Sequence, residues 1–464
     1  MTIKIISPID GSIVAERETA TTSQIEKKLQ DAVLASSKWK TIPIADKAKL
    51  CHKAIDIILE NGEEIAKEIT LQMGRPLKYA QGELHGLEER ARYMIDIAEQ
   101  ALSDIKLQDN EGFTRYIKRE ALGVVLTIAP WNYPYLTAIN SIVPALMAGN
   151  CVILKHSAQT LLCAERLYQA FSESFKQEGF ENGVFQYLHL DHQQTKELVR
   201  NNAINFVSFT GSVSGGETIE KSVAGLFKGV ALELGGKDPA YVRNDTDIDR
   251  AVETLVDGAF FNSGQSCCGI ERIYVHNDIY DEFVEKFIDS VNSYILGNPL
   301  DLHTTLGPMV NSKSADYVRE QIKQACEMGA SACINEKVFS NDKKGSAYLA
   351  PQVLVNVNHN MSVMRDESFG PVVGLMKVDN DAEAIQLMND SPYGLTASIW
   401  TNNKEVAISL GEQLETGTVF MNRCDYLDPA LSWVGIKNSG RGCSLSSLGY
   451  QQLTRPKSFH LKLS

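Results

Sequence analysis

Residues 121–154 read ALGVVLTIAPWNYPYLTAINSIVPALMAGNCVIL, and no side chain between Glu120 and Lys155 carries a charge. Length alone would permit a membrane span. Three prolines, Pro130, Pro134 and Pro144, break the stretch, and Asn132, Asn140 and Asn150 would need polar partners in lipid. The segment therefore reads as buried strand, loop, helix and strand. Ala121 to Ile128 and Cys151 to Leu154 are continuously apolar, the pattern of a parallel sheet covered on both faces.

The same alternation extends outward in both directions. From Gly123 to about Gly236 the chain predicts strands at Val124–Ile128, Cys151–Leu154, Val184–Leu188, Ile204–Phe209 and Gly229–Leu234, with helices near Tyr135–Met147, Leu161–Glu178 and after Ser212. This is the signature of a doubly wound α/β sheet, whose ligand lies at the carboxyl ends of the strands. A second α/β region runs from about Lys237 to Gly435, with helices at Asp247–Phe260 and Tyr280–Ile295 and strands at Arg272–His276, Val372–Met376 and Ala397–Trp400. Upstream, a small hairpin turns at Asp10-Gly11, and helices are expected at Ile25–Trp39, Ala45–Met73 and Lys78–Leu102. Gly112–Glu120 suits an exposed arm, and the alternating tail Lys457–Leu463 is expected to pair with it near residue 116.

Composition narrows the function classes. A chain of 464 residues with 44% hydrophobic and 22% charged side chains describes a soluble protein of two or three domains. The net charge of -13 argues against nucleic acid or an anionic membrane as partner. Nine cysteines without regular spacing read as reduced thiols of a cytoplasmic protein, and no CxxC or histidine-rich cluster suggests a metal. The first residues are broken too soon, at Pro8 and Gly11, for a signal peptide.

Four stretches carry candidate chemistry. Phe260-Phe261-Asn262-Ser263-Gly264-Gln265-Ser266-Cys267-Cys268 places two thiols on a loop between a helix and a strand. Taken alone, these read first as two buried cysteines acting as small hydrophobes, and a reactive thiol is the alternative. Ala129-Pro130-Trp131-Asn132-Tyr133-Pro134 follows a buried strand, so the Asn132 amide is fixed at a strand end, either to hold a developing oxyanion or to satisfy its own turn. Leu232-Glu233-Leu234-Gly235-Gly236-Lys237 sets a carboxylate in an apolar strand, where burial raises its pKa and suits it to general-base work; a structural ion pair is the alternative. Phe209-Thr210-Gly211-Ser212 joins a strand to a helix whose N-terminus favours a pyrophosphate.

In this order, and together with Leu154-Lys155, Glu367-Ser368-Phe369-Gly370-Pro371 and Pro392-Tyr393-Gly394-Leu395, these stretches resemble the aldehyde dehydrogenase superfamily over essentially the whole chain. The resemblance implies a Rossmann-type NAD(P)-binding domain (1–102 and 122–235), an α/β catalytic domain (236–437) and a small β oligomerisation element (103–121 and 438–464). It implies Cys267 as nucleophile, Asn132 as oxyanion donor and Glu233 as the base that hydrolyses a thioester. Trp131, Lys155, Ala158, Gly211, Ser212, Glu367 and Phe369 fall at cofactor positions, and Tyr133, Phe261 and Arg423 at substrate positions, with Arg423 either receiving a substrate carboxylate or standing as a plain surface or interface arginine. Members preferring NAD often carry Glu where Ala158 stands, so NADP is open beside NAD. A family Arg-Glu pair is replaced by Cys443-Ser444, and a frequent lysine by Ser141. The expected partners are a small aldehyde and further copies of the chain, as a homodimer or homotetramer. The rival readings are a cofactor-independent acyltransferase or esterase and a catalytically inactive binding or structural protein of the same fold.

Overall fold

Every residue of the strands Val124–Ala129 and Cys151–His156 is buried, as continuous apolar runs require when helices cover both faces of a sheet. The computed structural model describes residues 1–463 apart from Asp109, Gln177, Glu181 and Asp425. Its six-stranded sheet has the order Gly440–Arg441, Gly229–Glu233, Phe206–Thr210, Val124–Ala129, Cys151–His156, Phe185–Tyr187. All neighbours are parallel except the Gly440–Arg441 piece, which runs antiparallel to Gly229–Glu233. The first strand in sequence, Val124–Ala129, lies between the second and the fourth. Strand order therefore reverses there, and the loops leaving Ala129 and Thr210 diverge to opposite faces, opening a crevice for a ligand.

A seven-stranded sheet follows, in the order Ser331–Ala332, Gln352–Val355, Val372–Val378, Ile270–His276, Asp238–Val242, Thr396–Trp400, Thr418–Met421, parallel throughout except at Ser331–Ala332. The two sheets approach each other by opposite edges. Glu233 is the last residue of its strand, while Asp238 is the first of the next; Cys267–Cys268 and Glu367–Phe369 lie just before the starts of Ile270–His276 and Val372–Val378. The carboxyl edge of the first sheet thus faces the amino edge of the second.

The turn between them is built from Gly235 and Gly236. A Cβ on Gly235 would stand 2.2 Å from Glu367 Oε1, and one on Gly236 would stand 2.6 Å from the Cys267 carbonyl oxygen. Only glycine lets these three chain segments meet.

The third sheet pairs Thr454–Lys462 antiparallel with Phe113–Ala121, with Phe459 opposite Tyr116, so the tail meets the arm as its alternation predicts. Stacking of Tyr116 on Phe459, with ring centroids 4.6 Å apart, fixes that register. The predicted helix Ala45–Met73 is two helices, Ile44–Glu60 and Gly62–Met73. Asn61 and Gly62 are poor helix formers, and the Asn61 side chain instead donates to the Ile57 carbonyl, which interrupts the run. A helix at His192–Arg200 was not anticipated, although Asp191 and Gln194 form a capping box that announces it.

Among the described residues no helix is long and apolar enough to cross a membrane, and no group of three or more His, Cys, Asp or Glu is placed to hold a metal ion.

Candidate active site

Helix Ile248–Phe260 ends where Asn262 and Ser263 take left-handed backbone (φ 55° and 56°), which swings the chain back into the molecule before strand Ile270–His276. Gly264 continues at φ 69°, and a Cβ there would lie 2.2 Å from the Gly370 carbonyl oxygen. The loop is therefore pressed between fixed elements, and it holds Cys267 half-buried and Cys268 buried. Cys268 Sγ lies 3.5 Å from Ser266 Oγ. A hydrogen bond with the Cys268 thiol, together with burial, pushes Cys267 well above the usual thiol range.

The second component arrives from the carboxyl end of Val124–Ala129. Asn132 is buried in the turn before helix Pro134–Met147, and its amide donates to the Gln265 carbonyl at 3.2 Å. Asn262 returns the contact by donating to the Asn132 carbonyl at 3.3 Å. Arg75 locks the pair. It is 2% exposed, donates to Asn262 Oδ1 at 3.0 Å and to the Asn132 carbonyl, and forms an ion pair with buried Glu83 on helix Leu77–Asp96. Glu83 in turn accepts from the backbone N–H of Tyr135 at 2.7 Å, at the start of the Asn132 helix. Neither Arg75 nor Glu83 stands out in the sequence; Arg75 lies between two predicted helices, just ahead of the one that carries the buried Glu83.

Glu233 completes the group. Burial raises its pKa, as anticipated, while hydrogen bonds from Ser444 and from Thr210 (3.2 Å) and the charge of Arg90 act in the opposite direction. Ser444 reaches it because Gly440–Arg441 has joined the first sheet beside Glu233. Neither hydroxyl was singled out from sequence as a partner of this carboxylate.

The cofactor positions gather along the crevice. Ser212 caps helix Val213–Val223, accepting from Gly215 N–H at 3.2 Å, so an uncovered helix N-terminus faces outward beside Gly211. Lys155, at the end of its strand, is 8% exposed and makes no ion pair or side-chain hydrogen bond among the described residues. Burial lowers its pKa. A buried ammonium with no ion-pair partner among the described residues, at the carboxyl end of the same sheet as the Ser212-capped helix start, fits an anionic or hydroxyl-rich ligand such as a dinucleotide. Ala158 is exposed in a short 3-10 turn, with no carboxylate between His156 and Thr160.

Across the crevice Trp131 meets Phe369 edge-on, centroids 5.6 Å apart. Phe369 itself has φ 50° and is held by its N–H, which donates to Glu271 at 2.9 Å; Glu271 also pairs with buried Lys237. Glu367 accepts from Gly236 N–H at 3.2 Å, and burial pushes it up to about 8.

The substrate positions are less uniform. Tyr133 lies under the Arg75 guanidinium, 4.4 Å from its ring centre, and Phe261 packs on Tyr79 at 5.4 Å; both are half-buried beside the thiol loop. Arg423 is exposed and stacked 4.1 Å over Tyr426, whose hydroxyl donates to Glu89 on helix Leu77–Asp96. Asp425 of that loop lies outside the described residues.

Comparison with known proteins agrees with this geometry. A model described as the aldehyde dehydrogenase family matches residues 1–459. The chain is 34% identical over 460 residues to an aldehyde dehydrogenase of Paenarthrobacter nicotinovorans, covering 98% of this chain and 99% of that one. It is 32% identical over 460 residues to the NADP-dependent succinate-semialdehyde dehydrogenase of Mycobacterium avium, covering 98% and 96%. Among solved structures, the succinic semialdehyde dehydrogenase of Streptococcus pyogenes in complex with NADP superimposes with a TM-score of 0.94 at 28% identity, covering 99% and 100%. The NADP-dependent glyceraldehyde-3-phosphate dehydrogenase of Bacillus halodurans gives 0.93 at 31%, covering 100% and 96%.

Proposed function

The chain belongs to the aldehyde dehydrogenase family and oxidises an aldehyde with NAD(P); on that premise we propose that Cys267, Asn132 and Glu233 carry the reaction and that NADP is the preferred cofactor. The observation that supports this assignment is the meeting of a thiol, a fixed amide and a buried carboxylate where the two sheets face each other.

Cys267 loses its proton and its sulfur bonds to the aldehyde carbon. The carbonyl oxygen becomes an oxyanion, which the Asn132 amide and the Cys267 N–H stabilise, each such donor being worth roughly 10²–10³ in rate. When bound, NAD(P) supplies the acceptor for the hydride that leaves this carbon. Glu233 then takes a proton from water as the water attacks the thioester carbon; the carbon–sulfur bond breaks and a carboxylic acid is released. Lys155, Gly211, Ser212 and the Val213–Val223 helix start would hold the nucleotide, and Trp131, Glu367 and Phe369 would hold its nicotinamide half. Tyr133 and Phe261 line the approach of the aldehyde, with Arg423 on the loop beyond them. The preference for NADP rests on Lys155, a buried cation without an ion-pair partner among the described residues, and on Ala158, which sets no carboxylate against a 2′-phosphate.

The experiment is a rapid-mixing assay of Glu233→Gln with an aldehyde panel. A single-turnover burst of NADPH should survive while steady turnover falls by about 10²-fold or more, because hydride transfer precedes the step that needs the base. Fluorescence titration should find NADP bound more tightly than NAD. Loss of the burst, or equal affinity for both nucleotides, would count against the respective part of the proposal.

We further place cofactor binding in residues 1–102 and 122–235, catalysis in 236–437, and assembly on 103–121 with 438–464. The paired strands Phe113–Ala121 and Thr454–Lys462 end in an open edge suited to a second copy in a cytoplasmic homodimer or homotetramer. Light scattering should give at least the mass of a dimer.

A further inference from the structure

Lys237 and Glu271 are 1% and 4% exposed, so neither reaches a ligand in the crevice, yet they form an ion pair directly behind Ser368. Glu271 is the second residue of strand Ile270–His276, just past Cys268, and Lys237 follows the Gly235-Gly236 turn. The Glu271 carboxylate accepts from two successive backbone N–H groups, one on each oxygen: Ser368 at 2.9 Å and Phe369 at 2.9 Å. Lys237 donates to the same carboxylate and, at 3.0 Å, to the Ser368 hydroxyl. Arg272 holds Lys237 from behind by donating to its carbonyl at 2.9 Å. Both charges are thus buried together with hydrogen bonds on each, the condition under which a buried pair persists.

What the pair holds is strained. Phe369 stands at φ 50°, a left-handed backbone that a bulky residue adopts only when its surroundings impose it. Two successive N–H groups closed on one carboxylate impose it, as a backbone concavity closes on an anion. The effect reaches the crevice on both sides of Ser368. On one side Phe369 meets Trp131 edge-on, and on the other Glu367 accepts from Gly236 N–H at 3.2 Å. Gly370, the next residue, brings its carbonyl so close to Gly264 of the thiol loop that a Cβ there would stand 2.2 Å away. Apolar residues of similar volume could replace the pair with little effect on stability, but they would leave the Ser368 and Phe369 N–H groups without an acceptor.

We propose that Lys237 and Glu271 are positioning residues for the hydride-transfer step: the pair sets the backbone of residues 367–369, and so places the Glu367 carboxyl and the Phe369 ring against which the nicotinamide lies. The idea rests on the assignment of Glu367 and Phe369 to the nicotinamide half above. Neither Lys237 nor Glu271 exchanges a proton or touches the dinucleotide; both act through the residues in front of them.

The test compares Glu271→Gln with the unaltered protein. Glutamine keeps the length of the side chain but offers one acceptor oxygen to the two N–H groups and no charge to Lys237. In the protein free of nucleotide and aldehyde, hydrogen exchange read by mass spectrometry should show the Ser368 and Phe369 amides exchanging about tenfold faster or more, because hydrogen bonds to a charged group are lost. With NADP and the aldehyde panel, the single-turnover burst of NADPH should slow by about 10²-fold, the effect of displacing a reactant by about 1 Å. Affinity for adenosine 2′,5′-bisphosphate, which has no nicotinamide, should stay unchanged. If Glu271→Gln does not fold, the double variant Lys237→Met with Glu271→Leu takes its place with the same expectations, since removing both charges spares the fold and still leaves the two N–H groups without an acceptor. Unmoved exchange, an undiminished burst rate, or a loss of bisphosphate affinity that matches the loss of rate would overturn the proposal. An unaltered protein that binds the bisphosphate but gives no burst would sink the nicotinamide assignment itself, whereas those three outcomes sink only the role of the pair.

Discussion

Cys267→Ala is expected to lower aldehyde oxidation by on the order of 10⁴-fold or more, with the protein still folded and still binding NADP. The magnitude follows from losing the atom that forms the covalent intermediate, a loss no neighbour repairs when catalytic groups act as a unit. Cys268 is adjacent but does not substitute: it is buried, its sulfur is turned to Ser266, and its backbone N–H lies one residue beyond the position proposed for the oxyanion. Cys268→Ala should therefore keep activity within about tenfold, and because it removes the hydrogen bond that raises the Cys267 thiol, it should shift the alkaline requirement for iodoacetamide labelling of Cys267 downward. Steady-state rates and nucleotide fluorescence on the two variants decide the matter. Equal losses in both, or an active Cys267→Ala, would remove Cys267 from the role assigned to it.

The second large effect is expected at a residue remote from the reacting atoms in sequence. Arg75→Met leaves the Glu83 carboxylate buried without its partner, which costs about 3–5 kcal/mol. It also releases the Asn132 carbonyl and Asn262 Oδ1 from Arg75, so the proposed oxyanion donor and the thiol loop lose their common brace. Chemical denaturation should show the midpoint falling, and kcat/KM should fall by about 10²-fold, a typical penalty for displacing a positioned donor. The double variant Arg75→Met with Glu83→Leu separates the two consequences. Removing both charges should recover much of the stability, whereas activity should stay low because the donors that Arg75 gave to Asn262 Oδ1 and the Asn132 carbonyl are still missing. Recovery of activity along with stability would mean that Arg75 serves the fold alone.

These residues also mark what the sequence reveals and what it conceals. Continuous apolar strands, alternating helices and glycine-bearing strand ends are local patterns, so the two sheets and the loops holding Asn132, Ser212, Glu233 and Cys267 can be read directly. The brace cannot be read that way. Arg75 contacts Asn262 across 187 positions, and no spacing rule links a helix break to a loop that far along the chain. The same holds for Ser444 and Glu233, 211 positions apart, which meet only because a two-residue strand of the tail crosses back to the first sheet. Helix boundaries were misjudged where a single side chain competes with the backbone, as at Asn61.

The Gly235-Gly236 turn carries a consequence for how such an enzyme can change over generations. A Cβ on Gly235 would run into the Glu367 carboxylate proposed for the nicotinamide side, and one on Gly236 into the backbone of Cys267, the proposed nucleophile. Mutational drift in the nucleotide sheet and in the thiol sheet is therefore not independent. A library randomised at positions 235 and 236 should return glycine almost alone, while Gly82, with open space around its missing Cβ, should accept many replacements. New aldehydes and new nucleotides would then be gained by altering the crevice walls on either side, with this turn inherited intact.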